Sequence, residues 1–188
     1  MTRKEQKEER RKKILMTGLT LFVEKGYHET KISDIAAAAS MSTGLLFHYF
    51  ESKEDLLLAL VRMGNEGPSS VGVPEEVPPD AYFTGFLSQM FSYAKQEPWV
   101  FKMFVLMGQV RRPGMPEEAK RAAASADALG PTVELIKRGQ KEGSFRKGDA
   151  VTMARCFWAA VQGIMEEIAL NPEMEMPEPE WIVAMLKC

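Results

Sequence analysis

Few residues in this 188-residue chain have types and spacing that could do chemistry, and the densest group is Thr43, Gly44, Leu45, Phe47, His48 and Tyr49. A bare glycine, a hydroxyl, two aromatic rings and an imidazole make an odd surface if solvation is its only task. They suit non-covalent recognition in a groove. A glycine lets the backbone approach phosphates, and the start of a helix offers unpaired N–H donors. The competing reading is that Phe47 and Tyr49 simply belong to the core.

Covalent and metal chemistry find little support. The two histidines, His28 and His48, both lie in the first third, and no Cys/His cluster, nucleophile motif or phosphate loop accompanies them. Glu166 and Glu167 form a carboxylate pair, but consecutive helix positions point apart. Cys156 and Cys188 are too few and too separated for a disulfide framework. The expectation is a non-enzyme with no cofactor and no metal, working in a reducing cytoplasm with Cys188 as an idle terminal thiol. The charged opening MTRKEQKEERRKK does not resemble a signal peptide, and no apolar run is long enough to span a membrane.

Net charge is −2, but it is unevenly spread. Residues 1–62 hold 11 Lys/Arg against 9 Asp/Glu, and residues 63–188 hold 13 against 17. The sign suits an N-terminal partner for a polyanion. The local cluster Arg10, Arg11, Lys12 and Lys13 reads either as a phosphate-seeking arm or as an ordinary solvated helix face interleaved with Glu5, Glu8 and Glu9.

The elements that position the recognition residues are all helical. A first helix is expected over about residues 6–25, with Ile14, Leu15, Gly18, Leu19, Phe22 and Val23 inward and Gly26 as its stop. Thr30 should cap a short helix carrying Ile32, Ile35, Ala36 and Ala39 on its apolar face. Ser42 should cap the next, over 43–50, with Leu46 and Phe50 inward above Met41. Ser52 and Asp55 then form a capping box for a helix with Leu56, Leu57, Leu60 and Val61. Helix, tight turn and helix at this length is a helix-turn-helix layout.

At these residues the chain resembles a known family. The run I-S-D-I-A-x-x-A-x-x-S-x-G-x-x-x-H-Y-F-x-S-K-E-x-L, over residues 32–56, is similar to the DNA-binding segment of the TetR family of bacterial transcriptional regulators. A lead-in from Ile14 to Tyr27 extends the likeness over the first third. Two departures stand out. Ser40 occupies the turn position where the family usually has glycine, which forces a less comfortable backbone conformation. Leu45 and Phe47 replace a small polar residue and a tyrosine, which exchanges a phosphate-directed hydroxyl for apolar contact with a thymine methyl. The resemblance implies double-stranded operator DNA as partner. Thr43, Gly44, Leu45, Phe47 and His48 are expected at the major groove, and Thr30, Ser42, Tyr49 and Lys53 at the DNA backbone.

The remaining chain divides at GNEGPSSVGVPEEVPPD, a Gly/Pro-rich linker or a lid over a cavity. The expected organisation is a DNA-binding domain over 1–64, a linker over 65–79, and a ligand-binding and dimerisation domain over 80–188. Helices are expected from Asp80 to Pro98, from Trp99 to Val110, over 117–129, from Pro131 to about Gln140, from Asp149 to Asn171, and from Glu180 to Lys187. The 80–188 region stands out for large apolar side chains: Phe83, Phe86, Met90, Tyr93, Trp99, Met103, Phe104 and Met107, faced by Phe157, Trp158 and Met165. They either interlock as core or wall a cavity for a small hydrophobic effector, the role the family gives this region. Tyr93, Lys102, Gln109, Arg155 and Gln162 are candidates to orient such a guest. Ala159, Ala160, Gly163 and Ile164, with Trp181, Ile182 and Met185 on the last helix, are expected to form a homodimer interface without a membrane role. Together these features predict an all-α homodimeric regulator, more often a repressor in this family. The alternative is an all-helical interaction module that no longer binds DNA.

Overall fold

Thr2 begins the first helix through a reciprocal capping box, its hydroxyl accepting from the Glu5 N–H at 3.2 Å and its N–H donating to the Glu5 carboxylate at 2.8 Å. The structure is a computed structural model that describes residues 2–66 and 76–187. The heart of the expected linker or lid, residues 67–75, and the terminal Cys188 lie outside the described residues. All regular structure among the described residues is helical, in ten helices.

The chain forms two compact units, each discontinuous in sequence: Met1–Gly67 with Lys102–Ser125, and Pro68–Phe101 with Ala126–Cys188. In the first unit α1 (Arg3–Lys25) starts earlier than the periodicity indicates, because the Thr2 cap lies ahead of the apolar stripe. The basic cluster therefore sits within a helix and is not an arm; Arg10, Lys12 and Lys13 are exposed, while Arg11 lies 5.1 Å over the Phe50 ring. Ile14, Leu15, Leu19 and Phe22 are buried as their spacing requires. Gly18 permits a close approach of α1 to α4 (Lys53–Glu66), since a Cβ there would meet Leu56 Cδ2 at 2.9 Å. Gly26 ends α1 with φ of 88°.

α2 (Ile32–Ala38) and α3 (Thr43–Phe47) pack beneath, with Ile35, Ala36, Ala39, Leu46 and Phe50 buried. Half of the capping box expected for α4 is present: the Asp55 N–H donates to Ser52 Oγ at 3.0 Å, but the Asp55 carboxylate accepts from the Glu51 N–H at 3.0 Å in place of the Ser52 N–H. The same unit takes in most of α6 (Trp99–Val110) and all of α7 (Glu117–Ala124). α7 lies along α4, where Ala119 and Ala123 are buried and Asn65 Nδ2 donates to the Ala122 carbonyl at 2.7 Å. α7 ends at Ala124, five residues before the expected 129, and the next helix opens at Leu129 with Pro131 in its first turn.

The second unit is built from α5 (Pro79–Gln96), α8 (Leu129–Glu142), α9 (Ala150–Leu170) and α10 (Pro179–Ala184). Asp149 caps α9 by accepting from the Thr152 N–H at 2.7 Å. Met153, Phe157, Val161, Met165 and Ile168 form its buried stripe, with Ala160 and Ile164 only half-buried beside it. Phe83 of α5 packs between Phe157, 4.8 Å away, and Phe145, 5.9 Å away. Phe145 in turn presses on Gly139 of α8, where a Cβ would collide with its ring. Lys187 and Asp80 join the chain end to the start of α5 at 2.8 Å. Lys187 draws the Asp80 carboxyl below the ordinary carboxylate value, against the opposing effect of burial.

Candidate nucleic-acid interface

Leu46 and Phe50 anchor the recognition segment, and both are essentially buried. With these two side chains fixed inward, helical geometry turns Thr43, Gly44, Phe47 and His48 to solvent and leaves Leu45 and Tyr49 half-buried. Phe47 is 49% exposed, so it is not a core residue. A Cβ on Gly44 would meet nothing within 4 Å, so the fold itself does not require glycine there. Ser42 caps the helix by accepting from the Leu45 N–H at 3.2 Å, and its hydroxyl is exposed.

The helix is shorter than the expected 43–50. Its last turn tightens into i→i+3 bonds, from the His48 N–H to the Leu45 carbonyl at 3.2 Å and from the Tyr49 N–H to the Leu46 carbonyl at 2.8 Å. His48 and Tyr49 thus occupy a turn. Ser40 has φ of 59°, the left-handed conformation that the missing glycine would have adopted freely.

Two expected DNA-backbone contacts are corrected by the geometry. Thr30 does not cap α2. That place belongs to Lys31, whose N–H donates to the Asp34 carboxylate at 3.3 Å. Thr30 is buried, and its hydroxyl faces the carbonyls of Gly26 at 2.7 Å and Leu21 at 3.1 Å, so it stitches the end of α1 and has no hydroxyl to offer a phosphate. Lys53 is likewise occupied within the chain. Its ammonium donates to the carbonyls of Tyr27 at 2.8 Å and Thr30 at 2.9 Å, with His28 farther off at 3.4 Å, and it lies 4.3 Å over the Tyr27 ring. Burial pulls the Lys53 ammonium below the ordinary lysine value, although Glu29 acts in the opposite sense. Burial also raises the Tyr27 phenol, helped by the charge of Glu54. Tyr27 is thus the packing partner of Lys53, which spacing alone did not mark. Its signal was the Gly-Tyr pair directly after α1.

The expected effector residues fall in both units. Phe83, Phe86, Met90, Tyr93, Trp99, Phe157, Trp158 and Met165 belong to the second, and Met103, Phe104 and Met107 to the first. Phe83, Phe157 and Met165 are buried among one another's neighbours as core. Met103 and Met107 bring their sulfurs to 3.0 and 3.1 Å from where a Cβ on Gly64 would stand, which closes α6 onto α4. Phe86 and Trp158 remain half-buried, with ring centroids 6.0 Å apart, and Tyr82 stacks on Phe86 at 6.5 Å. The Trp158 indole donates to Thr132 Oγ1 at 3.0 Å, and the Trp99 indole to Glu97 at 2.8 Å.

Several of the polar candidates face elsewhere. Tyr93 is 49% exposed, with its ring edge-on to Trp99, and does not line an interior. Lys102 pairs with Glu24 at 2.8 Å on α1, Gln162 donates to Glu166 at 2.6 Å, and Arg155 is exposed. Gln109 is half-buried.

The proposed pairing face is mostly outward. Ala159 and Gly163 are exposed, Ala160 and Ile164 half-buried, and a Cβ on Gly163 would meet only open space. Trp181 is 72% exposed and Met185 is exposed beside it, whereas Ile182 is 4% exposed and packs inside its own unit. The alternation follows from helix geometry: α10 turns one side to α5 and α9, and Ile182 lies on that side.

No helix among the described residues is long and apolar enough to cross a membrane. A family model described as bacterial regulatory proteins of the tetR family matches residues 14–60, which hold the helix-turn-helix. The HTH-type transcriptional regulator HbdR of Aromatoleum sp. is 44% identical over 55 residues, which cover 29% of this chain and only 24% of that protein. The HTH-type transcriptional repressor Rv1474c of Mycobacterium tuberculosis is 25% identical over 179 residues, covering 94% of this chain and 89% of the relative. The crystal structure of the MbdR regulator from Azoarcus sp. CIB matches with a TM-score of 0.74 at 25% identity, over 93% of each chain. An exposed helix face held by two buried anchors lies inside a helix-turn-helix that matches the TetR family of bacterial regulatory proteins over residues 14–60, and the all-helical chain around it is similar nearly end to end to regulators of this kind.

Proposed function

We propose that the chain is a ligand-responsive transcriptional repressor that binds palindromic operator DNA as a homodimer and is released by a small hydrophobic effector. The observation that carries this reading is the outward face of Thr43, Gly44, Phe47 and His48, fixed by the buried Leu46 and Phe50. A solvent-facing aromatic beside a glycine that the fold does not need is hard to account for without a partner in contact with it. Residues 1–64 act as the DNA-binding head, and residues 80–188 carry the effector-binding and dimerisation functions. The protein works in the cytoplasm and has no catalytic role.

Dimerisation draws support from the exposed Trp181 and Met185 and from the small, open surface at Ala159 and Gly163, which lets two helices come close. Two copies related by a two-fold axis present two reading segments to the two halves of a palindrome. The half-buried aromatics Phe86 and Trp158 supply apolar surface for an effector of little charge. Such an effector acts by preferring the released state, and only to the extent of that preference.

An electrophoretic shift with the DNA upstream of the protein's own gene tests the reading. Retardation at nanomolar protein, reversed by a bound hydrophobic compound, is the expected result. A protein that retards neither this DNA nor any selected duplex is instead an all-helical interaction module.

A further inference from the structure

We propose that this chain reads its operator chiefly through thymine methyl groups, with Phe47 and Leu45 as the specificity-determining residues. The inference rests on the DNA-binding reading above and concerns how bases are told apart. From Ile35 to Phe50 the sequence contains no Arg, Lys, Asn, Gln, Asp or Glu. Those are the side chains that make the paired hydrogen bonds to guanine, adenine and cytosine edges in the major groove. Leu46 and Phe50 are locked inward, so the segment cannot roll to present a different set.

What remains on the outer face is limited. Thr43 offers a hydroxyl, His48 an imidazole, and Ser42 has its oxygen engaged by the Leu45 N–H. A single hydroxyl accepts or donates to either partner of a base pair and discriminates weakly. Phe47 is different. It is 49% exposed, and no ring pairing engages it among the described residues. Leu45 lies half-buried next to it in sequence. The open space around Gly44 removes the side chain that would hold the backbone away from the groove floor. The apolar feature of a base edge in the major groove is the thymine methyl, so an apolar reading face is matched by thymine and by no other base. The half-site core is therefore rich in A·T pairs, with thymines set against Phe47 and Leu45.

Uracil tests this cleanly, because it keeps every hydrogen-bonding group of thymine and lacks only the methyl. The full-length protein is used to select duplexes from a randomised pool. The best duplex is then titrated with thymine replaced by uracil one position at a time, using wild-type protein and Phe47→Ala. Selected half-sites should share fixed thymines, and removing one contacted methyl should weaken wild-type binding about fourfold, the equivalent of one buried methyl-sized group. Phe47→Ala should bind the thymine and uracil duplexes equally at the positions Phe47 covers, as a double-mutant cycle requires of two groups in contact. Phe47 is exposed, so this variant should melt like the wild type. A tight selected duplex that is indifferent to uracil at every position overturns methyl readout and leaves DNA binding standing. A pool from which nothing is enriched overturns both, and Phe47 is then a contact for another protein.

Discussion

Lys53 holds its ammonium 2.8 Å from the carbonyl of Tyr27 and 4.3 Å above the ring of that same residue. With Thr30 as a further acceptor, the start of α4 is tied to the connection between α1 and α2. A charge used in this way is a clamp inside the head and not a free partner for phosphate. Lys53→Met should cost about 2 kcal/mol of stability, from the lost charge-assisted hydrogen bonds. Each phosphate contact contributes about one unit to the dependence of log affinity on log salt. The variant should therefore melt earlier yet keep the wild-type salt slope. A slope reduced by about one unit, with an unchanged melting temperature, would return Lys53 to the phosphate backbone.

Ser40 is held at φ of 59°, in a conformation that costs an L-residue energy and glycine almost none. Ser40→Gly should raise stability by about 0.5 to 1 kcal/mol, net of the greater freedom of glycine in the unfolded chain. Urea denaturation at unchanged m-value checks it. A loss of stability would mean that the exposed hydroxyl does more for the turn than the backbone strain costs.

Gly44 separates stability from recognition. A Cβ there meets open space, and alanine is the better helix former by up to about 1 kcal/mol. Gly44→Ala should melt at or above the wild-type temperature and bind operator DNA more weakly, because the added methyl stands between backbone and groove. Unchanged affinity, measured by fluorescence anisotropy, would remove Gly44 from the interface.

Trp181 and Gly163 test assembly from two elements. Trp181 is 72% exposed, so Trp181→Glu adds no charge to the interior of its own unit. Gly163→Arg fills a space that is open within the chain. Each variant should fold, scatter light as a monomer at micromolar concentration and lose operator affinity. If both variants remain dimeric, this face is not the dimer interface.

Asp80 carries a pH prediction. Its folded value lies below the ordinary 3.8, chiefly through the hydrogen bond from Lys187. A depressed carboxyl value means that the unfolded chain binds the proton more readily. The stabilisation is therefore complete above about pH 4 to 5 and is lost as pH falls through the folded value. Lys187→Met should narrow the difference in melting temperature between pH 6 and pH 3. The effect should stay small, since the pair is partly exposed to solvent. An unaltered pH profile would mean the ion pair forms too rarely to matter.

Much of the fold was legible because helical spacing reports directly on which side faces inward. Ile35, Ala36, Leu46 and Phe50 in the head, and Met153, Phe157, Val161 and Met165 in α9, are buried where period alone placed them. The left-handed turn at Ser40 was legible too, as a strain implied by the residue that should have been glycine. The partners of Thr30 and Lys53 were not. Lys53 meets a carbonyl 26 residues away, and nothing in the local pattern distinguishes such an acceptor from a phosphate. Ile182 was misplaced for a related reason: α10 is apolar on two sides, and composition cannot say which side its own unit covers. The apolar circumference of α6 likewise did not reveal that Met103 and Met107 close against Gly64.

The first compact unit is assembled from two separated stretches, with α7 lying along α4. Cutting the gene after α4 and fusing the leading fragment to a foreign sensor would strip Ala119 and Ala123 from the side of that helix and bare the apolar surface they cover. Exchange of sensing modules by recombination must then carry a later segment along with the earlier one, or repair the exposed flank by new mutations. What looks in the sequence like a detachable reading head is, for an evolving or engineered lineage, a part that cannot be lifted out in one piece.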